Sequence, residues 1–250
     1  MGGRTFVIGD IHGEIDHLRR LVARMPDVGA SDTVVFLGDY IDRGPDSKAC
    51  VDAVLEFIAT VPAAVVCLRG NHEDWMLRAM ADYTHHSWLL GMDGLTTIRS
   101  YSAAAAVAIH AAAKEARGGA YEPGCRLPYE LFFDTLPAAH RRFFESLRLV
   151  HETPECICAH GGVDPAVEGL SGQDRAFVWG VSRFPEAYAG SRPVVYGHHN
   201  NADIDDDDWP HPRVEGATYG LDTIAHGVLT AIRLPGPHVL QSARYQRRRG

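Results

Sequence analysis

Five short, glycine-framed stretches hold the residues best suited to bind a cation or move a proton. They are Gly9-Asp10-Ile11-His12-Gly13, Gly38-Asp39-Tyr40-Ile41-Asp42-Arg43-Gly44, Gly70-Asn71-His72-Glu73, His160-Gly161-Gly162 and Gly197-His198-His199. Asp10, His12, Asp39, Asn71, His160 and His198 supply oxygen and imidazole ligands with no thiolate among them. Such a set suits manganese, iron or zinc in a hydrolytic centre and is poorly matched to a structural cysteine-based zinc site. One carboxylate can bridge two ions roughly 3.5–4 Å apart, so that a single cluster clamps phosphoryl oxygens and activates water. The nucleophile then needs no side chain: it would be metal-bound hydroxide, since cations depress the pKa of bound water toward neutrality. An alkoxide leaving group also needs a proton, which an imidazole aligned by a carboxylate can give, and His72 with Asp42 meets that need. The planar fork of Arg43 matches a phosphoryl group in two-point contact.

Each stretch follows a short apolar run that reads as a buried strand: 5–8, 33–37, 64–68, 156–159 and 194–196. Ile15, Leu18, Leu21, Val22 and Met25 recur at helical spacing between the first two, and Val51, Val54, Leu55 and Ile58 between the second and third. The alternation predicts βαβαβ, hence a largely parallel sheet covered by helices. In such a sheet the loops after the strands emerge at one carboxyl edge, which brings residues distant in sequence together. Residues 102–117 are alanine-rich and helical in propensity, and the breakers Gly118-Gly119 and Pro123-Gly124 follow. We read 102–150 as a helical insertion that Leu131-Phe132-Phe133 and Phe143-Phe144 pack onto the sheet. Residues 227–234 and 238–240 suggest a hairpin across Pro235-Gly236-Pro237.

The 250 residues, 46% hydrophobic, are read as one domain with a basic tail at 244–250. A formal net charge of −8 argues against nucleic-acid or anionic-membrane partners, since phosphate-rich surfaces attract basic patches. No signal peptide or membrane span is evident, so the expectation is a soluble, cytoplasmic protein. Five cysteines is an odd count, and Cys67, Cys156 and Cys158 sit in apolar runs as small buried hydrophobes.

The ordered blocks GDxHG, GDxxDRG, GNHE and HGG resemble the calcineurin-like metallophosphoesterases, and within them the phosphoprotein phosphatase type. The resemblance implies an αββα sandwich, two mixed β-sheets flanked by helices, with a helical insertion. It implies two divalent cations, manganese first, with iron or zinc also fitting. Asp10, His12 and Asp39 would hold one ion; Asp39, Asn71, His160 and His198 the other, with Asp39 as the bridge. His72 would be the general acid, oriented by Asp42, and Arg43 would bind phosphate. A second phosphate-binding arginine follows HGG in that family; Arg183 is the preferred match and Arg175 the competitor. Trp88-Leu89 and the segment Gly94 to Tyr101 resemble a WLxxGGxxTLxSYG stretch of the bacterial and phage branch. Leu221-Asp222-Thr223 to Gly227 looks like a shortened LDTGxxxGG, so the loop around Thr223 and His226 is expected to differ in shape.

Glu73 reads as an acceptor of backbone hydrogen bonds, the run Asp203 to Asp208 as a solvated loop, and His199 as a neighbour of the ligand set. The first functional reading is a phosphomonoesterase acting on phosphoserine or phosphothreonine proteins and small aryl phosphates. The alternative is symmetrical hydrolysis of diadenosine tetraphosphate, and a third reading is a non-catalytic phosphate- or metal-binding scaffold. A deep pocket would favour the dinucleotide and a shallow groove the phosphoprotein, with residues 102–124 expected to decide.

Overall fold

The computed structural model describes residues 3–116 and 124–244. The tail beyond 244 and the glycine pair at 118–119 lie outside the described residues.

Strand β1 (Thr5–Ile8) leads to α1 (Ile15–Val22), β2 (Thr33–Phe36), α2 (Ser47–Thr60) and β3 (Ala64–Cys67). The three strands pair in parallel, as the alternation predicts. The Asp46 carboxylate caps α2 by accepting from the Ala49 N–H at 2.9 Å. Helix α3 (Asn71–Ala81) starts directly after β3. Helices α4 (Ser87–Gly91), α5 (Gly94–Tyr101), α6 (Ala103–Glu115), α7 (Glu130–Phe133) and α8 (Ala138–Glu145) follow. Phe132, Phe133, Phe143 and Phe144 are all buried in the core beneath them, and Phe143 meets Tyr40 edge-on at 5.0 Å between ring centroids. The four phenylalanines thus pack the insertion onto the sheet, whereas Leu131, expected among them, is exposed.

The chain then passes to β4 (Val150–Glu152), β5 (Ile157–Ala159), α9 (Asp174–Trp179), β6 (Val194–Tyr196), β7 (Ala202–Ile204), β8 (Pro210–Glu215) and β9 (Thr218–Gly220). It closes with β10 (Thr230–Leu234) and β11 (His238–Gln241), the expected hairpin. Two mixed sheets result, ordered β11-β10-β1-β2-β3 and β4-β5-β6-β9-β8-β7. The architecture is the αββα sandwich. The five strand-like runs therefore do not share one parallel sheet, because β5 and β6 belong to the second.

Strand alternation assigns the layers. Phe6, Ile8, Val34 and Phe36 face the helices α1 to α8, whereas Val7, Val35 and Leu37 face the other sheet. From the second sheet Cys156, Cys158 and Val195 fill that inter-sheet layer, and Ile157, Val194 and Tyr196 pack outward on Phe177 and Phe184. Cys156 and Cys158 are accordingly buried packing groups. Strands β1, β2, β5 and β6 bury both faces, which explains why those runs are continuously apolar.

Candidate metal centre

The carboxyl ends of β1, β2, β3, β5 and β6 deliver Asp10, Asp39, Asn71, His160 and His198 to one buried place. Glycines allow the close approach. A Cβ on Gly70 would lie 2.0 Å from Asp39 Oδ1, and one on Gly197 would lie 2.0 Å from Asp10 Oδ1. His12, Asp39, Asp42, Arg43 and His198 all have positive φ, between 45° and 69°. Left-handed conformations are costly for residues with a Cβ and tend to cluster where side chains are re-aimed for function.

Two groups of three residues bring their ligand atoms within 4.8 Å of one another: His12, Asp39 and His72, and Asp39, His160 and His198. Asp39 belongs to both. Its Oδ2 lies 3.4 Å from His12 Nε2, 3.5 Å from His160 Nε2 and 3.9 Å from His72 Nε2. Asn71 Oδ1 lies 2.9 Å from the same His160 Nε2. Asp10 accepts the His198 N–H at 2.9 Å through Oδ2, while its Oδ1, 3.9 Å from His160 Nδ1, is buried without a partner. His12 Nδ1 lies 3.1 Å from the Ile41 carbonyl, which as acceptor leaves Nε2 to face the cluster.

Electrostatics supports cations here. Burial, with Asp222 adding, pushes the Asp10 carboxyl well up, and burial together with Asp10 and Glu73 does the same to Asp39. Burial drives His12 and His160 well down, and His198 down to about 3. Neutral imidazoles and crowded carboxylates are what a pair of divalent cations requires and relieves. The donor set fits a dinuclear centre.

His72 Nδ1 sits 2.7 Å from Asp42 Oδ2, and both groups are fully buried. Asp42 also accepts from Trp88 Nε1 at 2.9 Å and from Thr97 Oγ1 at 2.5 Å. Its own N–H donates toward Ser47 and Thr97 hydroxyls at 3.0 and 2.9 Å. Burial, with Arg43 adding, lowers His72 to about 3, so the ring rests neutral and Nε2 has no partner. Arg43 Nη1 lies 2.9 Å from His12 Nε2, a nitrogen for which a bound cation would compete. Glu73 accepts the N–H groups of Asp39, Tyr40 and Gly70 at 2.9, 2.9 and 3.0 Å and is the structural carboxylate the sequence suggested.

Arg183 and Arg175 lead elsewhere. Arg183 is over half exposed and lies 3.8 Å from Asp164; Arg175 lines a separate pocket with Arg69, Arg78 and Trp179. Trp88 and Thr97 are site residues that the sequence marks only through the family-like stretch holding them. Asp222 is also buried here, with Oδ2 accepting the Asn200 N–H at 2.6 Å and Oδ1 without a hydrogen-bond partner.

An αββα sandwich carrying a shared-carboxylate cluster of this composition defines a two-metal phosphoesterase fold. The profile described as calcineurin-like phosphoesterase matches residues 3–227, and the chain belongs to that family. Serine/threonine-protein phosphatase 1 of Salmonella typhimurium is 36% identical over 106 residues, 42% of this chain and 46% of its own length. A symmetrical bis(5'-nucleosyl)-tetraphosphatase of Pectobacterium carotovorum is 35% identical over 77 residues, 31% of this chain and 26% of its own. The matched regions span less than half the length of these curated relatives. A candidate diadenosine tetraphosphatase of known structure superposes with a TM-score of 0.59 at 18% identity, over 96% of this chain and 93% of its own, and shares the fold. Among the described residues, no helix is long and apolar enough to cross a membrane.

Proposed function

We propose that this chain is a metal-dependent phosphohydrolase that cleaves a dinucleoside tetraphosphate. The observation that carries the hydrolytic part is the membership of Asp39 in both three-residue groups. The substrate rests on the tetraphosphatase relative and on a bounded cleft of about 380 Å³ against His198. Among the described residues of 102–150, none lines that cleft. Hydrolysis of phosphoserine or phosphothreonine is the second reading, supported by the Salmonella relative.

Asp10, His12 and Asp39 would hold one cation, and Asp39, Asn71, His160 and His198 the other; manganese is the first choice, with iron or zinc also fitting. The bound ions supply Lewis acidity at the phosphoryl group and lower the pKa of water. Arg43, displaced from His12, binds non-bridging oxygens in two-point contact. The negative charge of a bound substrate would raise the pKa of His72, whose Nε2 would then give a proton to the departing oxygen while Asp42 holds Nδ1. Arg183 is the proposed second phosphate contact and would have to leave Asp164 to act.

The test is a side-by-side assay of the metal-reconstituted protein on diadenosine tetraphosphate, a phosphopeptide and a phosphodiester. Formation of ADP from the dinucleotide supports the first reading. Turnover of the phosphopeptide alone selects the second, and no turnover of any substrate refutes both.

A further inference from the structure

The cleft beside the metal centre has a character of its own. Phe184, Tyr196, His198, His199, Asn200 and Arg213 line it, and His198, a proposed ligand, is the residue through which the cleft adjoins the cluster. Tyr196 is 4% exposed, its ring lies edge-on to Phe184 at 4.9 Å, and its hydroxyl has no partner. A buried phenol without a partner carries a cost that a bound ligand would remove.

The loop at the rim is held in an unusual shape. His198, His199 and Asn200 are left-handed in succession, with φ of 60°, 62° and 50°. The Asn200 N–H is fixed by Asp222 at 2.6 Å, and the Asn201 amide donates to the Gly197 carbonyl at 2.6 Å. Three consecutive positive φ values in residues with side chains persist only where surrounding bonds over-determine them. The outcome is that the rings of His198 and His199 meet at 3.6 Å between centroids while His199 and Asn200 stay exposed at the rim.

The charge pattern says what kind of group fits. Arg213 is satisfied by Glu186 and Glu215 at 2.8 and 2.7 Å, and Asp203 also borders the cleft. Among the described residues, no free guanidinium or ammonium lines the cleft, which disfavours an anion. The surfaces on offer are flat rings, an amide and a phenol, the groups that stack on and hydrogen-bond to a neutral heterocycle. The volume, about 380 Å³, is near the lower end for ligand pockets, on the order of 300–1,000 Å³, and suits a nucleoside better than an extended peptide.

We infer that this cleft is a nucleoside subsite, in which His199 stacks on the base and the Tyr196 hydroxyl and Asn200 amide hydrogen-bond to its edge or ribose. The inference rests on the phosphohydrolase reading for its purpose and on the cleft alone for its chemistry. It makes His199 and Tyr196 determinants of specificity with no role in the bond cleavage itself.

Binding of adenosine, which has no phosphate to engage cations, tests the subsite directly on metal-free protein by ligand-observed NMR. Wild type should bind it, and Tyr196→Phe and His199→Asn should each weaken binding about fivefold or more, as loss of a hydrogen bond or a stacking face would. Asparagine tolerates the left-handed backbone at 199, so that variant should fold normally. With metal present, the ratio of kcat/KM for diadenosine tetraphosphate to that for p-nitrophenyl phosphate should fall about tenfold in each variant. Absence of adenosine binding to wild type, or unchanged affinity in both folded variants, overturns the subsite. Adenosine binding with no turnover of any phosphate substrate would remove the proposed function and support the subsite. Turnover of both substrates at an unaltered ratio would remove the subsite and spare the function.

Discussion

At the scale of single residues, the fate of the leaving-group proton depends on one carboxylate. Asp42 gathers His72, Trp88 and Thr97 as donors, and only the first lies in one of the five glycine-framed stretches. His72→Ala should reduce kcat strongly with an alkyl phosphate and less with p-nitrophenyl phosphate, whose leaving group needs little protonation. Equal losses on the two substrates would rule out the proton-donor role. Thr97→Val should reproduce the same leaving-group bias in weaker form, about tenfold in kcat on the alkyl ester, by removing a charge-assisted bond worth roughly 1.5–3 kcal/mol. If the variant changes thermal stability but not the bias, Thr97 serves the fold alone. Asp42 and His72 were legible because their types and order carry chemistry. Trp88 and Thr97 were not, because a buried tryptophan or threonine on a helix is usually packing, and their N–H and O–H directions exist only in three dimensions.

Elements hold these residues through bonds that cross from strand end to helix start. Glu73, at the first turn of α3, accepts three N–H groups, from Asp39, Tyr40 and Gly70, and so ties the loop after β2 to the entry of α3. Glu73→Ala would leave all three buried and unsatisfied. At about 1–3 kcal/mol each for a lost buried partner, urea unfolding should show a loss of roughly 3 kcal/mol or more; a loss under 1 kcal/mol would show that water replaces the carboxylate. Between β1 and β2, Asp32 accepts from the Arg4 guanidinium at 2.5 Å and from the N–H groups of Arg4 and Gly29 at 2.8 Å each, which hold its carboxyl below the usual range. A carboxyl lowered in the folded state stabilises it above the unfolded pKa, and that contribution is lost as pH falls. The stability gap between wild type and Asp32→Asn should therefore be constant above pH of about 5 and close as pH drops below about 4. A gap independent of pH would mean that the carboxylate charge is not what matters. The sequence showed β1, β2, β3, β5 and β6 within a residue or so because strands buried on both faces are unbroken apolar runs. It hid β7 and β8, where Asp203, Pro210 and Pro212 break that pattern and pairing with neighbours makes the strand. It also could not say that β5 and β6 join a second sheet, since periodicity carries no information on partner choice.

For the whole molecule, the cost of gathering the ligands and the benefit of binding cations are the same quantity seen from two sides. Asp10, Asp39, Asp222 and Glu73 are all buried, and burial pushes each carboxyl up, with neighbouring carboxylates adding at Asp10, Asp39 and Glu73, so the metal-free fold holds carboxyl groups whose charged form it disfavours. Binding functions are commonly maintained at such a cost to stability. Removing one charge should then stabilise the empty protein: Asp39→Asn is expected to melt at the same temperature as metal-free wild type or higher. Manganese should reverse the order. A ligand at a hundredfold excess over its Kd adds about 2.7 kcal/mol to the folded state, equivalent to a melting shift of roughly 5–10 °C for a chain of this length. Wild type should show that increment for the tighter site, and Asp39→Asn should show little of it, because the one group common to both ligand sets is gone. Calorimetric scans of the two proteins with chelator and with manganese give the four temperatures needed. An increment of equal size in both would mean that Asp39 is not the bridge. A metal-free variant less stable than wild type would mean that its carboxylate serves the fold, through the N–H of His72 that it accepts at 3.2 Å, more than it strains it.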